Sequence, residues 1–130
     1  SGVSAGVIGL DADGNVHLPN RSASELLDLS LDDSIGIALG LTVPEMSELL
    51  EQAQSNPERM HQAEITVIRD GQPLTLLVRI AGERLKSEVI GYVVTFDDVT
   101  ELLSAQRKAA WADAYRHTPH GKPVVLGRPD

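Results

Sequence analysis

The chain contains no cysteine, which removes disulfides, thiolate metal sites, cysteinyl-flavin adducts and thiol nucleophiles together. Aromatic residues are scarce: Tyr92, Phe96, Trp111 and Tyr115 are the four in 130 residues. A flavin or a haem wants more stacking surface than these supply, so no cofactor is expected. No apolar run approaches the roughly 18–20 residues of a membrane span, and no secretory leader pattern opens the sequence. The sequence also lacks a G-x-G-x-x-G, a P-loop and a Ser-His-Asp order, so no catalytic residue is expected within it.

Basic charge is scarce over most of the length. Residues 1–98 carry 16 acidic side chains against 6 basic, net −10, whereas residues 99–130 carry 3 against 5, net +2. The acidic body repels phosphate backbones, which argues against nucleic acid as a partner. With 42% hydrophobic residues, the length suits one domain with a core of ordinary size.

What is present alternates strand and helix signals. Val7, Ile8 and Leu10 lead into Asp11-Ala-Asp-Gly-Asn15, and Val16-His-Leu18 comes next, stopped by Pro19. The Asp13-Gly14 pair suits the positive φ angles of a tight hairpin. Ser22-Ala-Ser-Glu25 has capping-box spacing and opens a short helix with Leu26, Leu27 and Leu29. Thr42-Val-Pro-Glu45 has the same spacing ahead of Met46, Leu49, Leu50 and Ala53, which fall on one helical face. Residues 63–69 and 74–80 alternate apolar and polar positions around Asp70-Gly71, as two strands of a hairpin do. A charged loop is expected over 82–88, and 89–96 is apolar on both faces, as in mid-sheet. Asp98-Val-Thr-Glu101 is a third capping box, opening a final helix. From His117 the prolines and glycines predict a largely unstructured tail. The order β-β-α-α-β-β-β plus an exit helix predicts an α+β fold: a five-stranded antiparallel sheet with short helices on one face.

The histidines and carboxylates suggest no metal site. His117 and His120 lie in the proline-interrupted tail, His61 opens a strand and His17 stands on a strand beside Val16 and Leu18. Asp97 and Asp98 are strand neighbours and point to opposite faces, so they do not converge on a substrate.

Several segments together are similar to a PAS domain over residues 5–100. They are Gly9-Leu-Asp-Ala-Asp-Gly14, Asn20-Arg-Ser-Ala23, residues 26–36, and Gly91-Tyr-Val-Val-Thr-Phe-Asp97 running into Asp98-Val-Thr100. Residues 96–113 further resemble the segment joining PAS domain to kinase core in NtrY-type nitrogen-regulation sensor histidine kinases. In that family the helix continues to a phosphoacceptor histidine in an H-E-x-x-N-P setting. Here Tyr115-Arg-His117 runs into Thr118-Pro119, with neither the glutamate nor the Asn-Pro. The resemblance implies a PAS sensor at 1–98, an exit helix at 99–116 leading toward the kinase dimerisation helix, and a tail at 117–130.

The same resemblance implies roles. Asp98 and Thr100 would relay sheet distortion to the exit helix. Val99, Leu102, Leu103, Gln106 and Ala110 would form the seam of a homodimer. An interior ligand cavity would be lined by Asn20, Met46, Leu50, Ile65, Leu76, Val93 and Thr95, with Val7 and Leu39 beside them. The implied partners are the kinase core of the same parent chain and, through it, a response regulator. The implied place is the cytoplasmic side of a membrane-anchored bacterial sensor, with no membrane contact by this segment itself. The fragment would be non-catalytic, its parent transferring phosphate from ATP to histidine. A module holding a small metabolite in the cavity is the alternative reading.

Overall fold

The computed structural model describes residues 5–116, with side chains described through residue 114. The chain divides into two units at Asp98 and Val99, and each is taken by itself. The first holds β1 (Gly6–Asp11), β2 (Val16–Pro19), α1 (Arg21–Leu27), a 3-10 turn (Leu31–Ser34), α2 (Leu39–Thr42), a second 3-10 turn (Pro44–Met46), α3 (Ser47–Ser55), β3 (His61–Arg69), β4 (Gln72–Leu85) and β5 (Glu88–Asp98). The second holds α4 (Thr100–Arg116).

The five strands form one antiparallel sheet in the order β2-β1-β5-β4-β3, so the last strand of the sequence lies at its centre. Register sorts the side chains by face. Ile8 pairs with Val94, Leu10 with Tyr92, Val78 with Phe96 and Ile80 with Val94. These residues are buried and meet Leu27, Leu31, Leu39, Val43, Met46, Leu49 and Leu50 from the helical layer. The fold expected from the hydrophobic pattern is the one observed.

Local chemistry differs from expectation at four joints. In the β1–β2 hairpin Gly14 alone has positive φ, +85°, and Asp13 does not. The turn is instead organised by the Asp11 carboxylate, whose Oδ1 accepts the Asp13 and Asn15 N–H groups at 2.9 Å each. The cap of α1 is Asn20 rather than Ser22: its Oδ1 accepts the Ala23 N–H at 2.8 Å, and Ser22 lies inside the helix. Thr42 caps nothing, because it ends α2 and donates its hydroxyl back to Ala38 O at 3.2 Å. Residues 82–88 are not a loop. The β4–β5 ladder continues through Arg84↔Val89 and Leu85↔Glu88, leaving a two-residue turn at Lys86-Ser87.

Candidate functional site

The C-terminal end of the central strand is where the two units meet in sequence. β5 ends at Asp98 and α4 begins at Thr100, with Val99 between them. Leu103 donates its N–H to Val99 O at 2.9 Å, so the first helical bond closes on Val99. Val99 therefore occupies the N-cap position, one residue after the Asp98 expected from the sequence. Asp97 and Asp98 diverge as alternation requires. Asp97 pairs with Leu77 and lies 3.9 Å from the Arg79 guanidinium, which also donates Nε–H to Gln62 Oε1 at 2.9 Å. Asp98 pairs with Leu76, is exposed, and lies on the opposite face.

From the residue before α4 onward, Val99, Leu103, Gln106 and Ala110 recur at spacings of four, three and four, which places them along one stripe, with Leu102 flanking it. Val99 and Leu103 are half-buried, Gln106 and Ala110 are exposed, and Leu102 is 57% exposed. Five alanines and the short Ser104 leave the helix little apolar bulk of its own.

The interior residues divide into two groups. Met46 and Leu76 are fully buried and Leu50 nearly so, with Ile65 packed at the margin of the same core. Leu39 joins them. Val93 and Thr95 do not line this interior. Val94 and Phe96 are fully buried on the inward face, so the alternate residues of β5 fall on the outer face. Val7, paired with Thr95, shares that outer face. The strand is apolar on both sides, so its sequence has no period to tell them apart. Asn20 is likewise no interior anchor, because its amide is occupied. Oδ1 accepts from Val7 N at 3.0 Å as well as from Ala23 N, and Nδ2 donates to Ala5 O at 3.2 Å.

Among the described residues no group of three or more His, Cys, Asp or Glu is placed to hold a metal ion. His61 Nε2 lies 2.8 Å from Asn56 O, a local tie at the start of β3. The expectations for His117, His120 and the tail fall outside the described residues.

One residue that sequence reasoning missed is Arg69. Its Nε donates to Leu27 O, Nη1 donates to Ile68 O at 2.7 Å, and Nη1 also lies 3.6 Å from Glu45 Oε2. Its side chain is only 19% exposed. No local pattern announces such a residue, since its partners Leu27 and Glu45 are far from it along the sequence.

A sequence profile of the PAS fold matches residues 1–99. The nitrogen regulation protein NtrY of Azorhizobium caulinodans is 46% identical over 120 residues, which is 92% of this chain and 16% of that protein. Among solved structures, the PAS domain of a Colwellia psychrerythraea protein superposes with a TM-score of 0.61 at 18% identity, covering 75% of this chain and 87% of that one. The PAS domain of nitrogen regulation protein NR(II) from Vibrio parahaemolyticus gives a TM-score of 0.55 at 18% identity, covering 72% and 88%. At those identities the two structures speak for the fold alone.

Proposed function

The chain belongs to the PAS-fold family, and from that premise we propose that it is the sensing and dimerising module of an NtrY-like two-component sensor histidine kinase, acting on the kinase core through α4. One observation carries the reading: the central strand of the sheet, hydrogen-bonded on both sides by β1 and β4, is the strand that leads within two residues into the terminal helix. A change of twist on either side of the sheet can reach the strand that leads into α4 through the ladders to β5, because backbone ladders couple each strand to the next. The kinase core and its response regulator are the partners this reading requires, and its support is the likeness to NtrY at 46% identity.

Asp98 and Thr100 flank the joint and are the relay residues of this proposal, with Val99, Leu102, Leu103, Gln106 and Ala110 as the dimer seam. In the full-length parent kinase, Asp98→Ala should uncouple autophosphorylation from the signal state while circular dichroism of the domain stays unchanged. Regulation that survives the substitution would sink the relay. The metabolite-holding alternative is separated by native mass spectrometry of the purified chain, where a stoichiometric non-covalent adduct would favour it.

A further inference from the structure

Residues 28–44, from the C-cap of α1 to the first residue of the second 3-10 turn, are bonded to one edge of the sheet and flanked by two contacts to the other. At one edge, Gly36 donates to Val16 O at 2.7 Å, Val16 donates to Ile37 O at 2.9 Å, and Leu39 donates to Gly14 O at 3.0 Å. Asn15 and Ala38 form an antiparallel bridge between the same two segments. Val16 belongs to β2, the edge strand, so the middle of the segment is laced to that side. At the other edge stands β3, and its last residue, Arg69, holds both feet. Leu27, immediately before the segment, gives its carbonyl to Arg69 Nε, and Glu45, immediately after it, faces Nη1 at 3.6 Å. The segment thus has its middle on the β2 side and its two ends beside Arg69 of β3.

The segment is suited to be moved as a piece. Its regular structure amounts to one 3-10 turn and one four-residue helix. It plugs the core with Leu31, Leu39 and Val43, all fully buried, while Ile35, Ile37 and Leu41 are 51%, 43% and 78% exposed. The Leu27 carbonyl is one of those a helix end leaves without an intrahelical partner, and the Arg69 guanidinium takes it through Nε while Nη1 faces the Glu45 carboxylate.

We propose that residues 28–44 form a strap across the sheet and that Arg69, through Leu27 O and Glu45, is its releasable tie: breaking it frees the strap while the sheet stays folded. Displacing the strap pulls on β2 and β3, the two edges whose ladders converge on β5. That last consequence rests on the relay reading above; the strap and its tie do not.

The test is residue-resolved amide exchange on the 130-residue chain, wild type against Arg69→Met and Glu45→Gln. In Arg69→Met the amides of Gly36, Ile37, Leu39 and Val43 should exchange about tenfold faster while those of Val78, Ile80, Val94 and Phe96 stay within about twofold. Glu45→Gln should give the same pattern at about two- to threefold, as suits a partly exposed ion pair. Unchanged strap amides in both variants overturn the proposal. Sheet amides accelerating in step with the strap also overturn it, because Arg69 would then staple the whole fold. Should Arg69→Met not fold, the Glu45→Gln pattern decides by the same two criteria. A relay that fails at Asp98 leaves these exchange rates as they are, so the two readings fail separately.

Discussion

Asn20 ties three backbone groups with one amide, joining the residue before β1, the second residue of β1 and the first turn of α1. Capping alone is worth about 1 kcal/mol, and without Asn20 the Val7 N–H also loses a partner in a half-buried place. Asn20→Ala should therefore lower unfolding stability by about 1–2 kcal/mol in urea titration, with Ser22→Ala far milder because Ser22 caps nothing. Asp11 has a comparable role in the first hairpin. Its bonds from the Asn15 backbone, and then from the Asn15 side chain and Asp13 N–H, hold its carboxyl below the usual carboxylate range. A carboxylate with a lowered folded pKa adds stability above its unfolded pKa and loses it as pH falls through the folded one. Asp11→Asn should accordingly be less stable than wild type at pH 7, and the gap should close as pH falls from about 5 to 3. A gap that holds constant over that window would assign the effect to geometry rather than charge.

At the scale of elements, two hairpins show what the sequence could say and what it could not. β3 and β4 join through Asp70-Gly71, with φ of +53° and +72°. That dipeptide is a standard signal for such a turn, so both strands are legible to within a residue or two. β4 and β5 join through Lys86-Ser87 with the same positive φ angles, +51° and +74°, but neither residue favours that region. Residues 82–88 therefore read as a loop, although the ladder runs to Leu85↔Glu88. Replacing Lys86-Ser87 by Asn-Gly should relieve the strain and raise the melting temperature by roughly 2–5 °C, read by calorimetry. No change would mean the turn relaxes without cost. Contrast along a strand decides the site residues in the same way. Inward residues of β3 and β4 are legible because polar residues alternate with them, whereas β5 offers Val93, Val94 and Thr95 with no such contrast. Asn20 is a good capping residue by type, but the Ser22–Glu25 spacing competes with it in the sequence, and the helix does not use that spacing. Arg69 has no local signal at all, since its role exists only once β3 reaches α1.

At the scale of the whole molecule, composition and structure divide the chain at one place. The family profile ends at residue 99 and the compact sheet unit ends at Asp98, where the net charge also changes sign from −10 to +2. Beyond that point stands a 17-residue helix whose described side chains, Thr100 to Ala114, are all half-buried or exposed. Helices near that length are marginal alone in water, and most draw their stability from packing of one face. On the reading proposed above, the 4-3-4 stripe of Val99, Leu103, Gln106 and Ala110, flanked by Leu102, is the face for a second copy to cover, with the polar Gln106 favouring one register over slipped ones. Barely two heptads long, such a seam should associate weakly, so the comparison belongs at about 0.1–1 mM protein. Light scattering there should give a dimer mass for residues 1–115 and a monomer mass for residues 1–98. Leu103→Asp in the longer form should return it to monomer by placing like charges across the seam, with the sheet's circular dichroism unaltered. If both lengths are monomers, α4 is no seam. If both are dimers, the contact lies on the sheet unit instead. Only a dimer confined to the longer form, and lost in Leu103→Asp, makes the stripe on α4 a dimer seam.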